Sequence, residues 1–291
     1  MMKCKPWDLE TTSVFVRALW SRIVLSVCVG YECMSERHLP EQSRPFVVPC
    51  KRLDRHAPLR WLAAGWMDVR RAPVLTAIYG VVIVLISVAI SALAWQLGRF
   101  ALLAALLSGF VFVAPLIAVG LYSVSRALEE GRDPRLADSF RLVRAIPGQA
   151  AVFALIQMVI LFTWSRSGMM VSAFMPIEPD NVRSLIEFLA VGSAFGTIFA
   201  AITFATAVFS LPMIADREVD MVTAVVSSVN AVLRNKRIAL LWALLIAVIT
   251  LIGFATAFVG LGLLMPWLAY SAWHSYRETL DSSTWGKLKF D

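Results

Sequence analysis

The chain has 291 residues, 59% of them hydrophobic and only 16% charged, with a formal net charge of +7. An average soluble domain carries about 45 to 50% apolar and about 25% charged residues, so a water-soluble globule is excluded. The apolar residues fall in continuous runs, not in alternating segments of about ten, which excludes a membrane barrel and leaves membrane-spanning helices.

Residues 1–58 read as a disordered extension. Arg17 and Arg22 divide the apolar stretch from Ser13 to Tyr31, leaving too short a run to span. The segment "MSERHLPEQSRP" from Met34 has the look of a bacterial N-terminus, and translation is expected to start there. Cys4, Cys28, Cys33 and Cys50 precede the first span with no CxxC pair, and His38 and His56 do not complete a zinc spacing, so no metal site is expected. The membrane domain is expected over residues 59–278, with a cytoplasmic tail at 279–291.

The spans follow in order. The first is read at about 72–95, with Pro73 suited to a first helical turn. The second is at about 100–124, the third at 149–168 and the fourth at 185–214. The last apolar run, Ile238 to Trp273, has 36 residues. As one helix it would be about 54 Å long. Split near Gly253 to Thr256 it gives two more spans, 238–254 and 256–273. The fold class is therefore an all-α polytopic membrane protein of six helices arranged as three hairpins.

Three amphipathic stretches precede the hairpins and read as helices lying along the cytoplasmic surface. Leu59, Leu62, Trp66 and Val69 form the apolar face of the first, and Leu136, Phe140 and Val143 that of the second. In the third, Met221, Val222, Val225, Val226, Val229, Val232 and Leu233 oppose Asp220, Thr223, Ser227, Ser228, Asn230 and Arg234. Each hairpin leaves the membrane through a helix with a proline followed by an arginine: Pro115 and Arg126, Pro212 and Arg217, Pro266 and Arg277. "FSLPMIADREVD", residues 209–220, is one of these exits. Asp216 and Arg217 are accordingly read as charges at headgroup level and not as an ion site.

Lys and Arg number 12, 5, 4 and 3 in residues 1–71, 125–148, 216–237 and after residue 273, while the other turns hold Arg99, Arg166 and Arg183. By the positive-inside rule the N-terminus and every basic interval are cytoplasmic. The same rule accounts for the surplus of positive charge without invoking nucleic acid.

Catalytic motifs are absent: there is no phosphate-binding glycine loop, no HExxH and no nucleophile elbow. His274, Tyr276 and Arg277 read as an interfacial cluster, not a metal or redox site. Glu187 is placed at the outer interface, and Arg166, flanked by apolar residues, reads as snorkelling to the outer headgroups. Gly192, Gly196 and Ala200 repeat at four-residue spacing and suit close helix packing.

The segments "WLAAGWMDVRRAPVLTAIYG", "PLIAVGLYSVSRALEEG", "FSLPMIADREVDMVTAVVSSVNAVLRN" and "WHSYRE" resemble the bacterial integral membrane family known as domain of unknown function 2189, over about Leu59 to Glu278. The resemblance implies an inner-membrane location and no established activity. Some relatives carry cytochrome oxidase labels, which the scarcity of histidines here argues against. The expectation is a non-enzymatic membrane component without cofactor, whose partners are the lipid bilayer and either a membrane protein or a second copy. A small-solute permease is the alternative.

Overall fold

The computed structural model describes residues 46–97, 117–175 and 181–289. The expectations for residues 1–45, for the turn at Arg99, for Pro115 and for most of the second span lie outside them. The helices are α1 (Ala57–Arg71), α2 (Pro73–Leu97), α3 (117–129), α4 (Leu136–Ala145), α5 (Pro147–Phe174), α6 (Val182–Ala207), α7 (Ser210–Asp216), α8 (Met221–Arg234), α9 (Lys236–Ala255) and α10 (Leu261–Thr279). No strand occurs among the described residues, only two isolated bridges. Four stretches are long and apolar enough to cross a membrane: Pro73–Ala92, Pro147–Phe174, Val182–Asp216 and Lys236–Ala255.

Pro58, Pro73 and Pro147 sit in the opening turns of α1, α2 and α5, where a missing N–H breaks no helical bond. Pro212 has the opposite effect. It cannot bond to the carbonyl of Val208 and its ring crowds that carbonyl, so the long fourth run breaks between α6 and α7. The Phe209 amide turns aside and donates to Ser228 Oγ of α8.

The long last run is likewise two helices, since the chain leaves helix at Ala255 and re-enters at Leu261. Ala257 and Phe258 adopt φ of 52° and 71°, a left-handed bend that costs about 1 to 2 kcal/mol per non-glycine residue. Thr256 holds the bend: its hydroxyl donates to the Gly253 carbonyl and accepts from the Gly260 amide, each at 2.8 Å. The returning α10 then crosses α2 and α1 in near-backbone contact. A Cβ on Gly80 would lie 2.2 Å from the Gly262 carbonyl oxygen, and one on Gly65 would lie 2.7 Å from the Ser271 amide nitrogen.

The core collects at the basic ends of the helices. Trp61 and Trp242 pack edge to face at 5.4 Å and Trp66 and Trp267 at 5.6 Å, with Trp273 and Tyr276 beside them. Farther along the spans burial falls away: only 17% of the most apolar window of α2, α5 and α9 is covered by protein. Such surfaces are stable only against lipid.

The amphipathic helices orient in an instructive way. α4 buries Ser139 and Leu142 and exposes Phe140; α8 buries Thr223, Ser227 and Ser228 and exposes Val222 and Leu233. α1 turns Trp61, Gly65 and Asp68 inward and leaves Leu59 outside. In α4 and α8 the small polar residues are therefore built into the protein, not solvated, and part of the apolar stripe faces outward. Hydroxyls make this possible because each satisfies a stray backbone group: Ser227 Oγ accepts from the Val48 amide, and Ser228 Oγ donates to the Ala205 carbonyl.

Candidate functional site

Asp216 ends α7 and is 3% exposed. Its Oδ2 accepts from the Tyr276 hydroxyl at 2.8 Å and from Arg217 Nε at 2.9 Å, with Arg277 Nη1 at 3.4 Å. Because Tyr276 has given its only proton to the carboxylate, the Ser282 hydroxyl donates to Tyr276 at 2.8 Å. The sequence thus places Arg217 beside Asp216, and the fold brings Tyr276 and Arg277 to the same oxygen from α10.

The remaining exit arginine arrives from α3. Arg126, also buried, donates from Nη1 to the Ala215 carbonyl at 3.1 Å and from Nη2 to the Leu288 carbonyl at 2.8 Å. On the next turn Glu129 accepts from Trp273 Nε1 and Arg277 Nε, each at 2.9 Å. The three arginines that follow the expected exit helices therefore converge on one short segment, Ala215 to Arg217.

The chain's C-terminal stretch seals this cluster. The Leu288 amide donates to the Asp216 carbonyl and the Glu218 amide to the Gly286 carbonyl, while Arg217 Nη1 donates to the Trp285 carbonyl. Glu130 pairs with Arg132 and Lys287. Partial burial opposes its charge, but hydrogen bonds from Arg132 and Lys287 and the charge of Arg126 bring its pKa down to about 2.

Residues 46–56 lie against the same face. The Lys51 amide donates to the Thr279 carbonyl and the Asp281 amide to the Pro49 carbonyl. Asn235 accepts from the Leu53 amide and donates to the Lys51 carbonyl. Glu278 receives Arg60 at 2.5 Å and Trp61 Nε1 at 2.7 Å.

His274 is separate from Tyr276 and Arg277. Its Nε2 lies 2.9 Å from Asp68 Oδ2, which also accepts from Ser125 Oγ at 2.8 Å, so α1, α3 and α10 meet there. Arg166 is exposed on α5, and Glu187, also exposed, pairs with Arg183 at 2.9 Å. Gly192 and Gly196 have nothing within 4 Å of an added Cβ, and Ala200 is exposed.

Asp68, Glu129 and Glu278 were not singled out from the sequence. Asp68 did carry a signal, being a carboxylate seven residues after Trp61 and four before Ala72 on one helical face. Glu129 carried none, since its partners are distant in sequence.

A cavity of about 490 Å³ lies between α2, α3, α9 and α10, lined by Ile86, Leu121, Ile246, Phe254, Phe258 and other apolar side chains. The hydroxyls of Ser87 and Ser91 at its wall are spent on their own helix carbonyls. Among the described residues no group of three or more His, Cys, Asp or Glu is placed to hold a metal ion. The buried carboxylates are occupied by donors from the chain itself, so the cluster is suited to fastening helices together.

These features define a multi-pass helical membrane protein whose helices are tied together at the basic end by a buried ion-pair latch. A family model described as "Predicted integral membrane protein (DUF2189)" matches residues 102–216. The chain is similar to that family from residue 102 to Asp216, and the resemblance read from its motifs holds over this range. No curated protein and no solved structure matches the chain.

Proposed function

We propose that this chain is a non-enzymatic component of a bacterial inner membrane, with its N-terminus and basic face cytoplasmic. It rests on the lipid surface through α1, α4 and α8 and packs against a second copy or another membrane protein through α6. The observation that carries the packing role is the vacancy above Gly192 and Gly196, on a helix that packs against α5, α7 and α8 through other positions. Small residues left uncovered on a span allow a second helix to approach closely. The exposure of Arg166 and the apolar lining of the cavity support this reading over a permease, which needs a polar path through mid-membrane.

The test is cross-linking in native membranes through a cysteine placed at Gly196, in a chain whose own cysteines are replaced by serine. A discrete dimer or a single heterologous adduct is expected, and it should disappear when Gly192 is also changed to Leu. Absence of any adduct, together with solute flux through the reconstituted protein, would overturn the reading in favour of the permease.

A further inference from the structure

Exposed cations recur at one position in each of the three units. α1 ends in Arg70 and Arg71 just before Pro73, and α4 carries Arg141 and Arg144 just before Pro147. α8 ends in Arg234, followed by Lys236 and Arg237 at the head of α9. All seven are exposed.

Their surroundings differ from those of the exit arginines. Arg126, Arg217 and Arg277 are each bound by carboxylates or carbonyls of the chain. The seven make no ion pair among the described residues; Arg70 alone has an aromatic neighbour, its guanidinium 5.8 Å from the Trp66 ring centre. Positive charge that merely kept loops on one side of the membrane could equally be neutralised by the chain's own acids, as it is at the exits.

A second observation specifies the ligand. Each group stands beside exposed apolar side chains: Met67 and Val74 next to Arg70 and Arg71, Phe140 next to Arg141 and Arg144, and Leu233 and Leu240 around Arg234 to Arg237. Cations flanked by uncovered apolar side chains suit the boundary between headgroups and acyl chains. An acidic protein surface or a nucleic acid would call for the charges without the grease. The exposed apolar residues of α4 and α8, Leu136, Phe140, Val222 and Leu233, extend the same boundary.

We propose that these three groups bind the headgroups of anionic phospholipids, and that the α8–α9 group, with three cations in four positions, binds most tightly. This rests on the proposed reading of the three helices as lipid-facing and names the lipid class they select. Each cation near an anionic headgroup contributes about a fivefold gain in affinity. The group of three contributes a gain on the order of 100-fold.

The test uses the full-length protein in neutral detergent with acyl-labelled phosphatidylglycerol, and phosphatidylcholine as comparison. Phosphatidylglycerol should bind preferentially at about 50 mM salt and lose most of that preference at about 500 mM. The triple variant R234Q/K236Q/R237Q should lose affinity on the order of 100-fold. R183Q, which removes an exposed cation remote from these groups, should not change it. Equal binding of the two lipids, an unaffected triple variant, or displacement by inorganic phosphate as effective as by unlabelled phosphatidylglycerol would overturn the assignment. Should the triple variant fail to fold, the salt titration of the unaltered protein decides, because a preference that survives high salt refutes it. Solute flux through the reconstituted protein would remove the scaffold reading and leave the lipid result standing; equal lipid binding does the reverse.

Discussion

Asp216→Ala tests the latch directly. The carboxylate takes two close bonds, from Tyr276 at 2.8 Å and Arg217 at 2.9 Å, and a long contact of 3.4 Å from Arg277. The last is discounted, being beyond good hydrogen-bond distance and made by a side chain 34% exposed. Hydrogen bonds to charged groups contribute about 1.5 to 3 kcal/mol each, and breaking a buried ion pair from one side costs about 3 to 5 kcal/mol. Asp216→Ala is therefore expected to destabilise the protein by about 3 to 5 kcal/mol, since it leaves the half-buried Arg217 with only the Trp285 carbonyl. Tyr276→Phe should cost about 2 kcal/mol. The double variant should cost less than the sum by about 1.5 kcal/mol, because each single change already removes the shared bond. Reversible unfolding in mixed micelles, followed by tryptophan fluorescence, measures all three. A cost below about 1 kcal/mol for Asp216→Ala, or additivity within about 0.5 kcal/mol, would refute the latch.

Gly80→Ala should cost about 2 to 3 kcal/mol in the same assay, because the new methyl meets the Gly262 carbonyl and not a movable side chain, whereas Gly196→Ala, facing open space, should change stability little. Glu130 has its folded pKa at about 2, below the ordinary 4.5, so its stabilisation is complete above about pH 4.5 and is lost as the pH falls towards 2. Iodide quenching of Trp285, buried within the C-terminal stretch that Lys287 ties to Glu130, should rise over that window, and Glu130→Gln should remove the pH dependence. A cysteine at the exposed Ser283, in a chain otherwise free of cysteine, should react with an impermeant maleimide only after cells are permeabilised; labelling of intact cells would place the tail outside.

The four spans Pro73–Ala92, Pro147–Phe174, Val182–Asp216 and Lys236–Ala255 were legible because hydropathy over about 20 residues is a local property, and so was the break after Gly253, where one helix would have been too long. The amphipathic helices were legible as helices, yet which half would be covered was not. Serine and threonine look solvated in a sequence, and only the stray amides of Val48 and Phe209 explain why Ser227 and Ser228 are buried. Asp216 and Arg217 drew notice as adjacent charges, and Tyr276 and Arg277 as the end of a helix. That they share one oxygen depends on how α7 and α10 cross, which no local pattern encodes. Gly80 is the converse case, an unremarkable glycine made indispensable by a backbone that begins far away in the chain.

The ties across the basic face also order the protein's biogenesis. Arg60 emerges from the ribosome 218 residues ahead of its partner Glu278, and the Leu53 amide 182 residues ahead of Asn235. At about 5 to 20 residues per second the first of these partners waits roughly 10 to 45 s for the second. During that time the early helices are in the bilayer without the contacts that join them, and only adjacent helices such as α5 and α6 can pair on arrival. Completion waits for the emergence of the late-made partners, from Tyr276 to Leu288. A chain stalled or truncated shortly before Tyr276 would keep its long apolar helices yet lack its fastening, leaving a fully inserted protein that quality-control proteases could tell from a finished one by its loose ends.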